Sequence, residues 1–143
     1  MERIAFFLIV LTGILAGCNS NGEPIEFTKA CDPANEKKVA EINGFIIEKG
    51  GVFCSNIGGG RLNCGFTLTD KLGDENGITA DIEQGTGANT VEKLPSGFKK
   101  EDIKIHDNNG DRIAPSDKVK LTGKMSIGPN GTPCFMEVTK IEK

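Results

Sequence analysis

Five cysteines and one histidine are the residues of this chain best equipped for chemistry, and their spacing decides which chemistry is open. They are Cys18, Cys31, Cys54, Cys64, Cys134 and the lone His106. Thiolates and imidazoles could hold zinc, but structural zinc sites use close pairs such as Cys-x-x-Cys. No such pair occurs, and no Cys or second His stands near His106. A catalytic nucleophile needs a base in reach; there is no Gly-x-Ser-x-Gly, and no Ser neighbours His106 in sequence. Asp107, Asn109 and Asp111 open like a calcium loop, yet Arg112 stands where the turn glycine belongs and Lys118 where the bidentate glutamate belongs. Gly58-Gly59-Gly60 would cradle phosphate only if Lys-Ser/Thr and a helix followed; neither does, so the triplet reads as a hairpin tip. Asp70, Asp74, Glu75, Asp81 and Glu83 read as a charged rim without fixed geometry. His106, on the polar parity of a strand, reads as a solvated surface residue. No catalytic residue, no metal site and no cofactor are expected.

The fate of the cysteines turns on the first stretch of chain. Arg3 precedes an apolar run from Ile4 to Ile14, which small residues close. A charged start, an apolar middle and small residues before a cut form the layout of a secretory signal. The run is about ten residues long, short of the roughly 20 that a spanning helix needs. It ends in Leu15-Ala16-Gly17-Cys18, which resembles the lipobox of bacterial lipoproteins. The resemblance implies that Cys18 is lipidated, palmitate among its acyl groups, and becomes the first residue of the mature chain. The chain would then sit in the bacterial cell envelope, anchored to a membrane at its periplasmic side or at the cell surface. Four cysteines remain, an even number in an exported chain, and are expected to form two disulfides.

Composition narrows the rest. The 126 residues from Cys18 onward (143 less the 17 before it) fit one domain. The formal charge of −3 opposes a phosphate-binding surface. There is no Trp or Tyr, and six of the eight Phe lie beyond the leader, which leaves few faces on which bases could stack. Nucleic acid is therefore not an expected partner; an envelope protein or a small ligand is. Oligomeric state is not legible.

The elements that must position any site are strands. Asn19 to Lys29 is polar and without period, so residues 18–30 read as a flexible tether, about 12 of whose residues could extend on the order of 40 Å. From Lys37 the pattern becomes β: Ala40 and Ile42 on one parity, then Phe45 and Ile47 on the other, a change expected from a bulge at Asn43-Gly44. Val52 to Asp70 reads as a hairpin centred on Gly59, which sets Cys54 opposite Cys64 and puts Leu62, Cys64, Phe66 and Leu68 on one face. That register favours a Cys54–Cys64 bond and leaves Cys31 to pair with Cys134. Ile78, Ala80 and Ile82 make a third strand. Thr90 to Leu94 could form one helical turn before Pro95 and Gly97. Ile103 and Ile105 lead into a turn at Asn109-Gly110. Val119 to Ile127, the turn Gly128 to Gly131, and Cys134 to Val138 form an antiparallel pair with one apolar face.

The expected class is all-β: a small antiparallel barrel with weak or absent helix, stapled by two disulfides, over residues 31–143. A bent first strand, a hairpin to two more, an irregular crossover and a closing hairpin resemble the OB-fold. Asp117-Lys-Val-Lys-Leu-Thr-Gly-Lys with Glu137-Val-Thr-Lys-Ile141 is similar to the last two strands of such barrels. The likeness is greatest to bacterial OB-fold lipoproteins grouped with tRNA-anticodon-binding-like domains. It implies a binding surface on the second and third strands, with Asn56, Arg61, Asn63, Thr67 and the Gly128 to Gly131 turn as candidate ligand-binding residues. The expected function is a lipid-anchored envelope binding or assembly module without catalysis. A single-stranded nucleic acid or oligosaccharide binder, and an enzyme with an unrecognised site, are the alternatives.

Overall fold

The computed structural model describes residues 21–56 and 60–143; Cys18, the lipobox-like ending and Gly58-Gly59 lie outside the described residues. Among the described residues seven strands appear: β1 (Glu23–Pro24), β2 (Val39–Ile47), β3 (Phe53–Ser55), β4 (Asn63–Thr69), β5 (Ile78–Glu83), β6 (Val119–Ile127) and β7 (Cys134–Glu142). The only helices among the described residues are three 3₁₀ turns of three residues each. The protein is thus all-β, and two disulfides, Cys31–Cys134 and Cys54–Cys64, staple it as expected.

Five of the strands close a ring. β2 is shared: Val39–Gly44 pairs antiparallel with β6, and Phe45–Ile47 pairs antiparallel with β4. β4 continues to β5, β5 runs parallel to β7, and β7 returns to β6. β1 lies parallel on β2, and β3 lies on β4. Closure removes the free edges that an open sheet would expose. Alternation fills the interior: Ile42, Leu68, Ile78, Ile82, Leu121, Met125, Met136 and Ile141 are wholly or almost wholly buried. Cys54 sits opposite Cys64 in the β3–β4 register, the pairing that the hairpin symmetry anticipates.

Three expectations are corrected. First, β2 has no bulge at Asn43-Gly44: Ala40, Ile42, Gly44 and Ile46 are all buried on one parity. The strand serves both halves of the barrel because Gly44 lets it touch β4, where a Cβ would lie 2.5 Å from the Thr69 carbonyl oxygen and 2.9 Å from Leu68. The shift of register lies instead between Thr122 and Gly123, opposite Thr139, and turns Ile141 inward after Val138. Second, residues 22–30 of the expected tether are docked on the barrel rather than loose. Gly22 already lies against Ala40, Ile25 N–H donates to the Glu41 carbonyl at 3.0 Å, Ile25 and Phe27 pack on the core, and Ala30 is fully buried. Two apolar residues in a polar stretch suffice to dock residues 22–30. Third, Thr90 to Leu94 forms no helical turn. Val91, β-branched and fully buried, bridges Gln84 and Ile105 as extended chain.

Candidate functional site

The outward parity of the barrel wall makes a polar groove of about 790 Å³. Cross-strand register lays its floor in rows. Phe53, Gly65, Asp81, Glu137 and Lys124 follow one another across β3, β4, β5, β7 and β6. Beside them run Thr67, Thr79, Phe135 and Ser126. Ser55 and Asn63 complete the floor, and Lys37 and Lys49 stand on its walls. These residues share a face because a pleated strand sends alternate side chains to opposite sides.

Two features separate this face from an ordinary solvated one. Phe53 is 74% exposed and Phe135 36%, each on the parity that otherwise carries polar residues. Between Phe53 and Asp81 stands Gly65, whose missing side chain leaves a dip; a Cβ there would lie 3.4 Å from Asp81 Oδ1. The Asp81 carboxyl is half-buried, and this burial pushes its pKa above the ordinary value, with Glu137 on the next strand adding to the rise. Among the described residues neither carboxylate has an ion-pair partner. Lys49 Nζ donates to the Glu75 carbonyl. Glu36 Oε2, at the groove wall, accepts from Ile127 N–H at 2.5 Å.

Of the residues named from sequence, the groove brings together Asn63 and Thr67. Arg61 points elsewhere: its guanidinium donates to Glu83 Oε1 at 2.6 Å, with a side chain 79% exposed. Asn56 is exposed at the end of β3 and does not line the groove. The Gly128 to Gly131 turn packs on the Cys31 carbonyl at Gly131 rather than rimming the groove. Phe53, Phe135, Asp81, Glu137 and Lys124 were not anticipated as a group, although a phenylalanine on a polar parity, as at Phe135, is the signal that would have pointed to them.

His106 is not a solvated surface residue. Its Nε2 meets Glu92 Oε1 at 2.8 Å and its Nδ1 meets the Gly110 carbonyl at 3.0 Å, with the side chain only 18% exposed. Both nitrogens are thus engaged, and the ring braces the 105–113 turn rather than offering a free base. The hydrogen bond from His106 holds the Glu92 carboxyl below its usual range, with Lys104 adding to the effect. Asp107, buried, spends Oδ1 on the backbone N–H groups of Asn109 and Asp111, at 2.8 and 2.9 Å, as a turn-forming aspartate does. Among the described residues no group of three His, Cys, Asp or Glu could hold a metal ion.

A second cleft, of about 560 Å³, opens between Ile46, Phe66, Ile103, Ile105 and Ile113, where the crossover covers the barrel end. Its rim carries Glu48, Glu101, Lys100 and Arg112, two charges of each sign, and so favours no ligand charge. No helix among the described residues is long and apolar enough to cross a membrane. No protein-family model matches the chain, and no curated protein or solved structure matches it.

Proposed function

We propose that this protein is a lipid-anchored binding module of a bacterial cell envelope, held to a membrane through Cys18 and acting by binding rather than catalysis. The address rests on the Leu15-Ala16-Gly17-Cys18 ending. All four cysteines after Cys18 are paired, which suits an oxidising compartment. A five-stranded barrel whose groove crosses β4 and β5 is in keeping with an OB-like likeness, whose second and third strands carry ligands.

The single observation that carries binding is the pair of outward phenylalanines, Phe53 on β3 and Phe135 on β7, that line a polar groove. Exposed aromatic area grouped around a concave face marks a surface that a partner covers. The partner is an envelope protein or a small ligand. A photo-crosslinking residue placed at Phe135 in the cell-bound protein is expected to give a discrete adduct that F53A abolishes. The same residue at exposed Leu72, away from the groove, is expected to give none. Adducts at Leu72 but not at Phe135 would remove the groove from the account.

A further inference from the structure

Five asparagines precede a glycine: Asn21, Asn43, Asn76, Asn109 and Asn130. An Asn-Gly pair carries its own electrophile and nucleophile. The Gly nitrogen loses its proton and attacks the Asn Cγ; a bond forms between them, the Cγ–Nδ2 bond breaks, and ammonia leaves. Water then opens the cyclic imide. Opening on the Cγ side gives Asp, and opening on the main-chain side gives an isoaspartyl link. The sum is one water taken up and one ammonia released, with no oxidant or reductant. Glycine has no side chain to hinder the attack. The reaction asks three things of the fold: a Gly N–H not held by a hydrogen bond, water at that nitrogen, and an Asn able to swing its Cγ onto it.

The fold withholds at least one of these at every pair but Asn76-Gly77. Asn43 and Gly44 lie in the β2–β6 ladder, and Gly44 is buried. Gly110 N–H donates to the Asp107 carbonyl at 3.0 Å, and Asn109 N–H donates to Asp107 Oδ1 at 2.8 Å. Gly131 N–H donates to the Gly128 carbonyl at 2.9 Å. Gly22 is half-buried against Ala40 and Glu41. Asn76 and Gly77, by contrast, are both exposed and lie in no strand. Among the described residues neither the Gly77 N–H nor the Asn76 side chain has a hydrogen-bond partner. The chain is held on either side of them. Lys71 N–H donates to Asp74 Oδ2, the Glu75 carbonyl accepts from Lys49 Nζ, and Gly77 rests on Leu68. The swing therefore falls to Asn76 alone.

We infer that Asn76 is the site at which the folded protein deamidates first. The product adds a negative charge to a chain of formal charge −3, in a loop that already carries Asp74 and Glu75. Its isoaspartyl form also lengthens the main chain just before Ile78, the buried first residue of β5, which pairs with Leu68.

The test is peptide mapping by mass spectrometry of the purified protein, disulfides intact, through a course of incubation at mildly alkaline pH. Asn76 is expected to convert, to both Asp and isoaspartyl, roughly five- to tenfold faster than Asn109 or Asn130, where a turn hydrogen bond must first open. In urea, with the disulfides reduced, that lead is expected to vanish, because every pair then sits in unfolded chain. N76Q, whose longer side chain does not close the same ring, is expected to remove the first phase of ammonia release and to keep the parent's urea midpoint. Any other Asn-Gly converting first in the folded protein would overturn the inference, as would ammonia release undiminished in N76Q. So would an Asn76 that stays intact in the folded protein while the unfolded chain converts. A lead for Asn76 that persists in full in urea would also overturn it, by assigning the selection to local sequence rather than to the fold.

Discussion

The two disulfides close loops of very different length, and this makes a quantitative prediction. Cys31 and Cys134 are 103 residues apart, Cys54 and Cys64 only 10. In the chain-entropy account a cross-link stabilises by restricting the unfolded chain, by about 4.7 kcal/mol for the long loop and about 2.7 for the short one. Replacing each pair by alanines, C31A/C134A and C54A/C64A, should therefore destabilise the protein unequally, by a difference of about 2 kcal/mol. Packing works against this difference. Cys64 is fully buried whereas Cys31 and Cys134 are only partly so, and the loss of buried sulfur adds up to about 1 kcal/mol to the cost of the hairpin variant. The long loop should still dominate. Urea titration of each variant gives both the stability and the slope, and the slope should rise more for C31A/C134A because its unfolded chain exposes more surface. A C54A/C64A variant that is equally or more destabilised would show that packing, not loop closure, sets the value of these bonds.

Other consequences follow from particular contacts. D81N removes a carboxyl that the fold keeps above its ordinary pKa, so it should raise Tm at pH 7; an unchanged or lowered Tm would mean that the Asp81 charge is already satisfied. G123A places a Cβ against the Glu137 carbonyl at the register shift and should cost on the order of 1–3 kcal/mol in urea unfolding; a neutral result would mean that β6 and β7 can part there freely. Glu92, Asp117 and Glu142 are held below their ordinary values of 4.5, 3.8 and 4.5, first by His106, Lys143 and Lys140 respectively. Their contribution is whole above those ordinary values and is lost as pH falls through the lowered ones, while Asp81 acts in the opposite sense. Unfolding free energy should therefore decline below about pH 4.5, and the E92Q/D117N/E142Q variant should flatten that decline; an unflattened curve would exclude these three groups as its source.

Much of the barrel was legible because its strands obey a period of two. Leu121 to Ile127, Ile78 to Ile82 and the Cys54–Cys64 register follow directly from alternation and from a glycine-centred turn. Alternation failed where a residue does two jobs. Phe45 and Ile47 are apolar but only partly buried, because β2 leaves β6 for β4 there, and their hydrophobicity imitated a parity switch. Short docked segments are similarly opaque: Ile25 and Phe27 form no periodic pattern, yet each finds a place on the core. The anchoring of His106 is not legible in the sequence because its partner, Glu92, lies 14 residues away on an irregular segment that no period describes. The candidate site was half legible. Asn63 and Thr67 follow from the polar parity of β4, but the carboxylate pair depends on β5 lying parallel beside β7, a crossing that no local pattern announces.

The address of the protein is the premise on which the proposed function stands, and intact-mass and amino-terminal peptide spectrometry of the native product tests it most directly. The account predicts a chain that begins at Cys18 and carries diacylglyceryl and acyl mass on that residue. A chain that keeps residues 1–17, or that begins at Cys18 without added lipid, would contradict it.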